Sequence, residues 1–287
     1  MIKVAFDIGG TYIKSAVVTD ELTIEHFERV RTPKNIDHAI LNIVKARLEA
    51  IIHQYENPEV RLGISTAGAV DRDNKTIAYA NENILNYTGT NFEACLKHMV
   101  SRIQVYNDVD AALLGELTQM NQNDKNVFCL TLGTGIGGSY YHKDFGLITG
   151  ARHRPHQIGN LLYDTASKTY YEQRASTRAL KRQLKASNYN HCDIPRLFDE
   201  AEDGYKEAQQ QLSNWGREIA RGIAEVQIMY DPDEIIIGGG VSAQQQRLLK
   251  YIVPHVPMFL PKDYGHANIR CAQFDNYAAL IGAVSRM

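Results

Sequence analysis

A chain of 287 residues, 44% apolar and 22% charged, is long enough to bury a sizeable core as one large or two medium domains. Its formal net charge of −2 gives no overall positive field for a nucleic-acid backbone or an anionic membrane, and no stretch approaches the roughly 20 apolar residues that span a bilayer. The start, MIKVAFDIGG, has no basic segment leading into an apolar run, and Cys95, Cys129, Cys192 and Cys271 are widely spaced without a C-x-x-C pair, so a cytoplasmic chain with reduced thiols is expected.

Residues 2–18, IKVAFDIGGTYIKSAVV, hold two β-branched runs about a Gly-Gly turn and predict a hairpin. In IDHAILNIVKARLEAIIHQY, the residues Ile40, Ile43, Val44, Leu48, Ile51 and Ile52 recur at three- and four-residue steps, which predicts a helix packed on the sheet. VRLGIST and IQVYND read as short buried strands. The helical pattern VDAALLGELTQM follows the second, with Asn107 and Asp108 placed either to cap it or to do chemistry.

The second half opens on NVFCLTLGTGIGGSYY, whose order of strand, glycine turn and strand echoes residues 2–18. A helix-rich region includes QLSNWGREIARGIAEVQIMY, where Leu212, Trp215, Ile219, Ile223 and Val226 mark one face. DEIIIGGGVS is a strand running into glycines, and NYAALIGAVSRM an apolar-faced helix. We expect two α/β domains, 1–118 and 119–275, the second with helical insertions, and a last helix over 276–287 that packs back on the first.

Three glycine-rich turns directly follow buried strands: DIGGT at 7–11, GTGIGG at 133–138 and GGG at 238–240. Each alone is a hairpin turn as readily as an anion site. Together they can cradle a chain of phosphates, because glycine lets backbone N–H groups approach an anion. GTGIGG is not a dinucleotide fingerprint, since a strand follows it rather than a helix, and no Walker motif is present.

In this order and at these separations, FDIGGTYIKSAVV, NDVDAALLGE, LTLGTGIGGSYY and DEIIIGGGVS resemble the sugar kinases of the ROK family (repressors, open reading frames and kinases) over nearly the whole chain. The resemblance implies an α/β protein with the duplicated ribonuclease-H-like (actin-like ATPase) fold, two α/β domains with ATP and a sugar in a central cleft, and a homodimer. The family's repressors carry an extra N-terminal helix-turn-helix domain. A chain starting at its first strand leaves no room for one, so a kinase that phosphorylates a sugar, at O6 by family expectation, is the reading.

By the same resemblance, Gly9, Gly10 and Thr11 form the first phosphate turn, and Asp7 holds Mg²⁺ through water, a role that suits a hard oxygen donor at a strand end. Gly133, Thr134 and Gly135 form the second turn. Gly238, Gly239 and Gly240 let the adenosine of ATP lie against backbone at the head of a helix. Asp108 is the expected catalytic base, because phosphoryl transfer needs one carboxylate to take the attacking hydroxyl's proton. Asn83 and Asn107 resemble sugar-hydroxyl ligands, and Gly68 matches a glycine lining that pocket.

Most family members carry Glu-x-Gly-His and then a Cys-rich zinc segment after the second phosphate turn. Here Gln157, Ile158, Gly159 and Asn160 stand at the first motif and DTASKTYYEQRAST has no cysteine, so no structural zinc is expected. In ITGARHRPHQIGNLLYD, Pro155 breaks helical spacing between His153 and His156 and no cysteine lies near, which makes both solvated loop histidines rather than metal ligands. Glu172 corresponds to a later family Glu at the sugar's O1 and O2. Gln157 and Asn160 can bond hydroxyls but without charge, so selection at O1 and O2 is relaxed and a β-glucoside is the expected substrate. The competing expectation is a glucokinase or N-acetylmannosamine kinase with a rebuilt pocket. From other classes come a non-catalytic sugar sensor, against which Asp108 and the glycine turns argue, and an acetate- or glycerol-type kinase.

Overall fold

The computed structural model describes residues 1–81, 84–120 and 124–287, and none of their helices is long and apolar enough to cross a membrane. Two compact units divide the chain: Met1–Asn121, Thr149–Pro155 and Tyr277–Met287 form the first, Gln122–Ile148 and His156–Asn276 the second.

In the first unit, β1 (Ile2–Ile8) and β2 (Tyr12–Val18) form the hairpin that the sequence predicts, with Asp7 opposite Lys14. A third antiparallel strand, β3 (Ile24–Arg31), continues it at the sheet edge; almost all of IEHFERVR is exposed, so it carries no burial pattern to read. Helix α1 (Ala39–Gln54) buries Ile40, Val44, Leu48 and Ile51 in one core with Val4, Phe6, Ile64 and Val105. Next come β4 (Val60–Thr66), the small antiparallel pair β5 (Ala69–Asp71) and β6 (Thr76–Tyr79), α2 (Phe92–Leu96), β7 (Arg102–Asn107) and α3 (Asp108–Leu117). The sheet order is β3-β2-β1-β4-β7, with β1, β4 and β7 parallel. Register sets Ile8 opposite Thr66 and Thr66 opposite Asn107, so the three carboxyl ends finish level.

The second unit repeats this plan. β8 (Val127–Leu132), β9 (Ile136–His142) and β10 (Gly146–Ile148) form the antiparallel part. After α4 (Glu172–Ala175), α5 (Thr177–Ala186), α6 (Ile194–Glu202) and α7 (Lys206–Tyr230), the strands β11 (Glu234–Gly238) and, beyond α8 (Gln246–Ile252), β12 (Asn268–Cys271) add in parallel. The order is β10-β9-β8-β11-β12. Central strands such as VFCLTL and EIIIG are covered on both faces, so they read as continuous apolar runs without alternation. Helix α7 buries the face marked by Leu212, Trp215, Ile219, Ile223 and Val226, and the Trp215 indole N–H donates to the Ala175 carbonyl at 2.8 Å, which satisfies the polar end of a fully buried ring. The chain ends in α9 (Ala278–Val284), which belongs to the first unit and packs on α3, β1 and β4.

Candidate active site

At the level carboxyl ends of β1, β4 and β7 the first unit gathers most of its sequence-selected residues. Asp7, near the end of β1, receives Lys14 Nζ at 2.9 Å on one carboxylate oxygen and Ser65 Oγ at 2.9 Å on the other. Asn107 ends β7 and caps α3: its side-chain oxygen accepts from Val109 N–H at 2.9 Å while its amide donates to the Gly68 carbonyl at 2.8 Å. Gly68 has φ +107°, and a Cβ there would come within 2.6 Å of the Tyr79 carbonyl oxygen, so only glycine fits. The Gly9–Thr11 turn is held by Gly9 N–H donating to Tyr12 O, and by Thr32, whose hydroxyl donates to Gly9 O at 2.6 Å and whose N–H donates to Thr11 O. Asn83 lies outside the described residues.

Asp108 is the first residue of α3. Burial, and after it the negative charge of Asp7, push its carboxyl up to about 6, against a bond accepted from Val109 N–H that pulls the other way. Such a carboxylate is ionised at neutral pH yet holds a proton more tightly than an ordinary one, which suits a general base. Of the two residues that the sequence offers as caps, Asn107 stands at the N-cap of α3, and Asp108, one residue on, accepts from the same Val109 N–H at 3.0 Å.

The second unit places its glycine turns around a cavity of about 630 Å³. Gly133 and Thr134 line it on one side, Gly240 and Gln244 on another, with Ile194 and Pro195 from the start of α6. The Gly133 carbonyl accepts from both the N–H and the hydroxyl of Thr177, at 2.9 and 2.7 Å, which fixes the second turn to the start of α5. Gly238 is the buried last residue of β11, and Gly239 has φ +89° with a Cβ position that would fall on the Leu132 carbonyl. Gly240 opens a single 3-10 turn ahead of α8, so the expected helix head is a short, tight one. Another cavity, about 660 Å³, runs along β7 and the β5–β6 turn in the first unit; His153 lines it, and none of the residues expected at the nucleotide or the sugar does.

Gln157 and Asn160 are exposed on the short turn that follows residue 156, with Gly159 buried between them. Glu172 faces the same turn from the first residue of α4: its carboxylate accepts from Ile136 N–H at 3.2 Å and lies against Gly135 and Gly159, which joins the second phosphate turn to the 157–160 segment. The two histidines part company. His153 is half-buried, with Nε2 3.7 Å from Asp71. His156, expected as a solvated loop residue, instead has its ring packed among Phe128, Tyr140 and Tyr230 with both nitrogens in hydrogen bonds. The correction has a plain cause: aromatic residues from three distant segments enclose the ring, and no local pattern announces them.

Sequence reasoning also missed Lys14, Ser65, Thr32 and Thr177, the groups that order the acids and turns. Lys14 alone carried a signal, since in a tight β1–β2 hairpin it must sit opposite Asp7.

A model of the ROK family matches residues 3–286. A glucokinase of Streptomyces coelicolor is 28% identical over 98% of this chain and 95% of its own length. A beta-glucoside kinase of Klebsiella pneumoniae is 26% identical over 98% of this chain and 94% of its own. Among solved structures, a ROK family glucokinase from Streptomyces griseus in complex with glucose and AMPPNP superposes with a TM-score of 0.81 at 26% identity, covering 100% of this chain and 99% of that one. The fold is the duplicated actin-like ATPase fold.

Proposed function

This chain belongs to the ROK family, and from that premise we propose that it is an ATP-dependent sugar kinase that moves the γ-phosphate to O6 of a β-glucoside or a free hexose. The observation that carries the reading is the meeting of Asp7, Gly68, Asn107 and Asp108 at one sheet rim, with the Asp108 carboxyl pushed up to about 6. Asp108 takes the proton of the attacking hydroxyl, and Asn107 with Gly68 borders the sugar. ATP is the second substrate, its phosphates on the Gly9–Thr11 and Gly133–Gly135 turns and its adenosine in the cavity beside Gly240, whose wall also carries Lys181.

The donors present suit Mg²⁺. Each oxygen of Asp7 can accept a second bond, so the carboxylate can hold a metal-bound water while keeping Lys14 and Ser65. When bound, the ion neutralises charge on the transferring phosphoryl group. Asp7 and Asp108 together make the rim negative, which favours a cation there. A homodimer is part of the same reading and is tested by sedimentation.

At the sugar, Gln157 and Asn160 are neutral and exposed, which supports a substituent on O1, as in a β-glucoside. The named activities of the relatives support both this and a free hexose. A coupled ADP-release assay with Mg-ATP over glucose, mannose, fructose, N-acetylmannosamine, cellobiose and gentiobiose decides. Best turnover on a disaccharide supports the glycoside; turnover on a free hexose alone removes it; sugar binding without ADP release would leave a sensor.

A further inference from the structure

His156 stands directly before the turn that bears Gln157 and Asn160, and phosphoryl transfer as described makes no use of it. Its position in the chain is particular. Ile148 is the last residue of the second unit before the Thr149–Pro155 excursion, and His156 is the first residue after it. The ring spans that point: Nε2 lies 3.0 Å from the Ile148 carbonyl oxygen, and because a carbonyl only accepts, Nε2 carries the proton. Nδ1 is then an acceptor, and the Tyr230 hydroxyl donates to it at 2.7 Å.

Packing holds the ring in this pose. Its centroid is 5.9 Å from Phe128, 6.2 Å from Tyr140 and 4.9 Å from Tyr230, the last two edge-on. Burial lowers the imidazole pKa, which keeps the ring neutral and the Nδ1 lone pair free for Tyr230. The backbone is tied as well, since His156 bridges Gly138 in β9 and its carbonyl accepts from Ile158 N–H at 2.9 Å. One residue therefore connects the 157–160 turn to β10 through Ile148, to the end of α7 through Tyr230 and to β9 through Gly138.

We propose that His156 is a positioning residue that clasps the base of the 149–155 excursion and so holds Gln157 and Asn160 in place for the sugar. The sugar half of this inference rests on the kinase reading; the clasp does not.

Two variants test it. His156→Phe keeps the aromatic packing and removes both ring hydrogen bonds, and Tyr230→Phe removes only the Nδ1 partner. In His156→Phe the KM for the best sugar should rise about tenfold, the KM for ATP should stay within about twofold, and amide hydrogen exchange over 150–160 should speed up about tenfold, the scale of one or two lost hydrogen bonds. Tyr230→Phe should move sugar KM and exchange in the same direction by less, and the double variant should do no more than His156→Phe, because both act on one contact. Unchanged exchange in both variants overturns the clasp, and this measurement needs no substrate, so it stands whether or not any sugar is turned over. Faster exchange with unchanged sugar KM overturns the positioning role, as does an equal rise in both KM values.

Discussion

In both units a hairpin leads into three parallel strands, β3-β2-β1-β4-β7 in the first and β10-β9-β8-β11-β12 in the second, yet the strand ends carry different chemistry. The first rim carries Asp7 and Ser65 one residue before their strands end and Asn107 at the end of its own, with Asp108 just beyond; the second ends in Leu132, Gly238 and Cys271, and glycines follow two of its strands. Topology brings the ends together in each case. Side chains then decide what the rim does: burial and the Asp7 charge raise the proton affinity of Asp108, whereas glycines leave backbone open beside a cavity. Under the proposed function, proton transfer belongs to the first rim and nucleotide shape to the second.

The largest break in this contrast should come from Asp108→Asn, which is expected to cut kcat by roughly 10²–10⁴ while sugar still raises the melting temperature. The same change should stabilise the free protein. A folded pKa of about 6 against an ordinary 3.8 means that ionising Asp108 costs the fold roughly 3 kcal/mol, a stability present below pH about 4 and lost as pH rises through about 6. Urea melts of both proteins at pH 7 check the sign, and equal midpoints would refute the raised pKa.

On the second rim the matching experiment separates Gly239 from Gly240. Gly239→Ala should destabilise by about 2 kcal/mol or more, because φ is +89° and the new Cβ meets the Leu132 carbonyl. Gly240→Ala meets open space, so it should leave stability within about 0.5 kcal/mol and act on the KM for ATP. Reversed outcomes would move the nucleotide off this rim.

A smaller effect is read from the pH profile. The acid limb of kcat/KM should bend near pH 6 and fall about tenfold per unit below it, since only ionised Asp108 can accept a proton. Lys14→Met removes the cation that offsets Asp7, and the bend should move upward by about half a unit; a downward move would mean that Lys14 does not balance Asp7. Smallest is Thr177→Val, which deletes one hydroxyl bond to Gly133 and should cost about 1 kcal/mol with a severalfold higher KM for ATP.

Much of this was legible in the residues. Glycines after apolar runs marked both hairpins, and apolar spacing in α1 and α7 marked the faces those helices bury. The unread parts share a cause. β3 has almost no buried side chain, and β10 and β12 are short, so none shows a period. Ile194 and Gln244 line the cavity with Gly133 from positions far along the chain, a proximity created by packing.

By itself, then, the sequence determined the family, the duplicated order of strands and turns, and the residue types available at each rim, because glycine, β-branched runs and helical spacing act through local sterics and burial. Tertiary structure alone decided how those residues behave. Asp108 holds its proton tightly because burial and Asp7 act on it together, and His156 is a half-buried, neutral ring because Ile148, Tyr230, Phe128 and Tyr140 pack around it. Desolvation and neighbouring charge belong to the assembled strand ends, and no segment carries them before they meet.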